Sequence, residues 1–211
     1  MTMVIYNIQT NGACSQLVIE LINDTVFVEP SAVAYVSGAV ELTADIPGWK
    51  NKLKSLLIGK HHFKPFFKGT GKIYLVATLG SYHKFTIQPQ EDLIINKYAF
   101  IACRTSVTIR PEMKISFGDL LSGAPILNTV ASGTGNVMIL MPGPVIAQEL
   151  KNDKFVAYAH DVAAYSKTLR VYKEFAGKGG LNIANKMVQI YRGTGNVFFT
   201  PIPNKDSKRK K

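Results

Sequence analysis

Acidic residues are scarce in this chain: 14 Asp and Glu stand against 25 Lys and Arg in 211 residues, for a formal net charge of +11. None occurs between Asp45 and Glu91, where Lys50, Lys52, Lys54, Lys60, Lys64, Lys68, Lys72 and Lys84 all fall. No carboxylate pair stands out for general acid–base work. Cysteine is almost absent, and Cys14 and Cys103 have no metal-ligand spacing, so neither a disulfide framework nor a zinc site is expected. Histidine is equally sparse. His61 and His62 are adjacent, which on a strand sends them to opposite faces, and His83 and His160 have no partner at ligand spacing. No metal or cofactor is expected. The G-x-S-x-G of a nucleophile elbow is missing, and Cys103, inside FIACRTSV, reads as a small core residue rather than a nucleophile for His160. Long apolar runs are missing too. The longest candidate, NVMILMPGPVIA, is broken by Pro142, Gly143 and Pro144, far short of a bilayer span. The opening residues lack the character of a signal or transit peptide, so the expected compartment is the cytoplasm.

What is present is strand signal. QLVIELI, TVFVEP, AVAYVSGAVELTADI, GKIYLVATL, HKFTIQP, DLIIN, YAFIACRTSVTIRP, NVMILM, KFVAYAHDVAAY, TLRVYKEF, KMVQIYRG and NVFFTPI are rich in Val, Ile, Tyr, Phe and Thr and bounded by Gly, Pro, Asn or Asp. They predict an all-β chain. Two short helices interrupt it: GWKNKLKSLLIG, with Trp49, Leu53, Leu56 and Leu57 on one face, and SFGDLLSG, with Ser116 as N-cap.

The triplet Gly-Thr-Gly occurs three times, at Gly69 to Gly71, Gly133 to Gly135 and Gly193 to Gly195, each before an apolar run. Gly59 of LLIG and Gly123 of LLSG each lie ten residues before a triplet. The chain therefore reads as three units, about 16–78, 83–141 and 144–200, in one domain over 1–204, arranged as a compact β-sandwich or prism, with a disordered basic tail at 205–211. Between strand formers the triplets predict tight hairpins, with Gly69, Gly71, Gly133, Gly135, Gly193 and Gly195 as structural turn residues at positive φ. A phosphate-binding loop is excluded, because GTGKI lacks the upstream glycine and has Ile73 where Ser or Thr must follow the lysine.

The order L-L-x-G, aromatics, G-x-G and a strand, together with VEPSAVAYVSGAVEL, resembles the Altered Inheritance of Mitochondria protein 24 family over about residues 16–202. That resemblance implies an all-β fold built by internal duplication, similar to the tryptophan RNA-binding attenuation protein. It implies no catalytic residues; the family's mitochondrial members are linked to inner-membrane organisation.

Together these readings predict a non-catalytic scaffold or assembly protein that self-associates or docks with other proteins, in places near a membrane. The alternative is a nucleic-acid binder using the basic surface of residues 50–72, with Lys50, Lys52, Lys54, Lys60, Lys64 and Lys68 as contacts. The loop AGKGGLN at 176–182, with Lys178, is a weaker anion-binding candidate. No small-molecule substrate is expected, and contact with nucleic acid or an anionic membrane is expected to be weak.

Overall fold

The structure, a computed structural model, describes residues 2–44, 65–96, 98–114, 126–175 and 187–201. Both expected helices, the lysines from Lys50 to Lys64, the 176–182 loop and the basic tail lie outside these residues. In chain order the strands are β1 (Met3–Asn11), β2 (Cys14–Val28), β3 (Val33–Ala44), β4 (Pro65–Leu75), β5 (Ser81–Ile87), β6 (Leu93–Asn96) and β7 (Phe100–Arg104). There follow β8 (Val107–Lys114), β9 (Ile126–Gly133), β10 (Gly135–Met141), β11 (Ile146–Ala157), β12 (Val162–Ser166), β13 (Arg170–Phe175) and β14 (Met187–Phe199). A single 3-10 turn, Pro30–Ala32, is the helical element among the described residues. The fold is all-β.

Two compact units divide the chain: Met1–Tyr82 with Ile101–Thr105, and His83–Phe100 with Ser106–Lys211. In the first, β4 lies between β3 and β2, and β1 and β7 pair with the other side of β2. A two-residue turn joins β1 to β2, with Gly12 at φ 60. In the second, β5 pairs with β10, and a sheet runs β11-β14-β12-β6-β9-β8 with β13 beside β14. The strands of both units pair antiparallel.

The Gly-Thr-Gly triplets are not hairpins. Gly69 and Gly71 lie inside β4, and Gly193 and Gly195 inside β14. Gly133 ends β9 and Gly135 begins β10, whose partners are different strands, so the chain runs on there without turning back. Opposite the first and third triplets the neighbouring strand carries a bulge. Leu21 pairs with Gly71 and Asp24 with Gly69, so that two residues, Ile22 and Asn23, oppose Thr70 alone. Leu150 pairs with Gly195 and Asp153 with Gly193, so that Lys151 and Asn152 oppose Thr194. Asn23 and Asn152 sit at φ 47 and φ 55, in the left-handed region that asparagine tolerates. Their backbone N–H groups donate to Thr70 Oγ1 at 3.0 Å and Thr194 Oγ1 at 3.1 Å. Gln90, between β5 and β6, also has a positive φ, 69.

The bulge sets which residues are buried. Leu17, Ile19 and Leu21 face the core before it, and Val26 and Val28 after it. An odd step between the two series would put one half of β2 on the wrong face, and the extra residue restores the phase. The unbulged β4 keeps its phase: Phe67, Ile73 and Leu75 are all buried, and Gly69 and Gly71 occupy the same inward series. LIND and LKND, which read as strand boundaries from their Asn-Asp, are these bulges. QLVIELI and TVFV therefore merge into β2 across the bulge, and KMVQIYRG and NVFF into β14 across its triplet. Strands β1 and β9 have no counterpart among the predicted strands.

Replacing Thr70 or Thr194 by Val should remove the side-chain acceptor and cost about 1 kcal/mol at each site, read from urea midpoints. Similar losses at both are expected, because the two bulges share one hydrogen-bond plan.

Candidate functional site

In unit 1, β3 stands at the end of the sheet and pairs only with β4 among the described residues. It runs for 12 residues and contains no lysine, arginine or proline, the residues that commonly blunt a free edge. From Ala34 to Thr43 every residue except Val40 is exposed. Val36 and Leu42 pair with Ile73 and Phe67, both buried, and so lie on the core face of the sheet, yet Leu42 is 63% exposed. On the other face Tyr35, 55% exposed, stacks on Tyr74 with ring centroids 4.3 Å apart. Thus β3 offers a row of backbone groups and an apolar flank that the described residues leave uncovered.

Behind this edge the sheet is fastened by a polar cluster. The Arg104 guanidinium donates to Asp24 Oδ2 at 2.8 Å, and Asp24 Oδ1 accepts the Thr25 N–H at 2.7 Å. Burial pushes the Tyr6 phenol well above its ordinary range; Cys103 and Asp24 add to this and Arg104 opposes it. Such a phenol stays protonated, which makes it a poor base. In unit 2, hydrogen bonds from Lys167 and Ser132 hold the Asp92 carboxyl below its usual range. Burial raises Asp161, opposed by the adjacent His160.

Of the lysines expected to form a nucleic-acid surface, Lys68 is described. It is exposed on β4 opposite Glu41, and nearby Lys72 lies 3.9 Å from Glu20, so acids accompany the described part of that cluster. His83 bonds the Gly143 carbonyl at 3.0 Å, and His160 stacks on Tyr158. Cys103 is buried and Cys14 exposed, and the two are not joined in a disulfide. Among the described residues there is no group of three potential metal ligands, and no helix long and apolar enough to cross a membrane.

The bulges opposite glycine pairs and the β3 edge belong to an all-β protein built of antiparallel sheets. The chain belongs to the family described as Mitochondrial biogenesis AIM24, which matches residues 6–202. Its fold is similar to the crystal structure of protein SPYM3_0169 from Streptococcus pyogenes, with a TM-score of 0.75 at 18% identity, covering 95% of this chain and 94% of that one. No curated protein matches.

Proposed function

We propose that this protein is a non-catalytic scaffold of the cytoplasm that acts by associating with itself or with other proteins, and that the β3 edge is its association surface. The observation that carries the reading is the 12-residue edge with Tyr35, Val36 and Leu42 exposed along it. An unpaired row of N–H and C=O groups accepts any extended chain, and an unprotected one selects a partner through its flanking side chains. Nothing in this action requires a cofactor or a small-molecule substrate.

Lysine placed on the edge tests it. Val36→Lys with Leu42→Lys puts two cations where a partner strand would bring its own apolar side chains. Sedimentation velocity should then show a smaller species than the parent, with an unchanged β-sheet circular dichroism spectrum. A parent that sediments as a monomer and captures no protein would remove the proposal.

A further inference from the structure

The register of the second unit brings three cations side by side. Lys154 of β11 pairs with Arg192 of β14, and Arg192 pairs on its other side with Arg170 of β13. Directly cross-strand residues point to the same face, so the three form one row across three adjacent strands. All three are exposed, and among the described residues none of their side chains has an ion pair or hydrogen bond. The acids of these strands are engaged elsewhere or distant: Glu149 faces Lys151 at 3.4 Å, Asp153 Oδ1 accepts the Lys154 N–H, and Glu174 pairs with Val188, two rows away on the same face. Beside the cations runs a parallel row of Val156, Ile190 and Tyr172, with Val156 and Tyr172 each 48% exposed.

Corresponding registers elsewhere in the chain show that the fold does not require this charge. Next to the triplet of β4 the same row is Thr25, Lys68 and Glu41, whose charges cancel. Next to Gly133 it is Ser132 with Thr108, and Asp92 bonded to Ser132. Two copies of the register are balanced or acidic; the third carries three positive charges at cross-strand distance. Like charges directly opposite destabilise a sheet, so the row is a standing cost to the folded chain that an external anion would relieve.

We propose that this face of unit 2 binds a single-stranded nucleic acid, with Lys154, Arg192 and Arg170 on successive phosphates and Tyr172 as a stacking surface for a base. The cations lie on one line, which suits a linear polyanion crossing the strands, with the aromatic and aliphatic row alongside it at base position. A bilayer is served less well, because Ile190 in the middle of that row is buried and Val156 and Tyr172 are each half covered.

Fluorescence anisotropy with a labelled oligouridylate of about 20 nucleotides, titrated with the full chain from low to physiological salt, tests the proposal. Changing Lys154, Arg170 and Arg192 together to Gln should weaken binding and lower the log–log salt slope by about 2, since each phosphate contact on a single strand contributes about 0.7. Tyr172→Ala should weaken binding at least about fivefold. The triple variant should melt at or above the parent's midpoint, because like-charge repulsion has been removed. Changing Lys84, Arg110 and Lys167 to Gln removes the same charge from elsewhere in the chain and should leave most of the affinity in place. Any of three results overturns the proposal: no binding by the parent at low salt, an equal loss in both triple variants, or loss of binding to phosphatidylserine vesicles by the triple variant where the parent ignores the oligonucleotide.

Discussion

Replacing Gly69 by alanine should destabilise the protein by about 3 kcal/mol or more, and Gly71→Ala should do the same. A Cβ at Gly69 would overlap the Ala39 carbonyl oxygen and come within 3.1 Å of its carbon; one at Gly71 would overlap the Ser37 oxygen. These obstacles are backbone atoms of β3, held by their own ladder to β4, so they cannot step aside as a side chain would. Both glycines also lie at positive φ, at 134° and 156°. Gly193 separates the two causes. Its φ is 125°, yet the nearest atom a Cβ there would meet is Leu169 Cδ2 at 3.7 Å. Gly193→Ala should therefore cost only the backbone strain, about 1 to 2 kcal/mol. Urea midpoints decide the ranking. Equal losses at Gly69 and Gly193 would mean that dihedral strain, and not the close approach of β3, accounts for glycine here.

The second large effect lies in the core of unit 2. Tyr191 is completely buried among Ile94, Val130, Leu150, Val162, Leu169 and Val197. Its ring meets Tyr165 edge-on at a centroid distance of 5.1 Å, and its hydroxyl donates to Gln189 Oε1. Tyr191→Ala should cost about 3 to 5 kcal/mol, from lost burial and a cavity that the surrounding sheet cannot close. Tyr191→Phe keeps the ring and removes the donor, leaving the buried Gln189 oxygen without it, for about 1 to 2 kcal/mol. A Phe variant as unstable as the Ala variant would mean that the hydroxyl, and not the packing, holds the site.

The all-β class was legible because β-branched and aromatic runs recur through the whole chain. The triplets were conspicuous, but their role was not. A glycine pair between strand formers looks the same whether the chain turns or another backbone passes close by, and the deciding atom at Gly69 is the oxygen of Ala39, far upstream in the chain. The matching bulges did leave a local mark, since L-x-N-D occurs at 21–24 and again at 150–153. Read as boundaries, the first of those Asn-Asp pairs splits β2 and the second cuts off the first half of β11. The β3 edge, unpaired on one side among the described residues, left a mark by omission, as a strand-forming run without Lys, Arg or Pro. The cationic row left none. Lys154, Arg170 and Arg192 are scattered along the sequence and meet only through the register of three strands, whereas the conspicuous lysines at 50–64 lie outside the described residues.

Whether the β3 edge takes a strand from another molecule is tested most directly by amide hydrogen exchange of residues 33–44 as the protein is diluted. These amides should be protected at high protein concentration and exchange faster on dilution, while β2 and β14 amides do not change. Protection of β3 that is independent of concentration, with or without other proteins present, would assign the edge to the chain's own residues and contradict strand addition there.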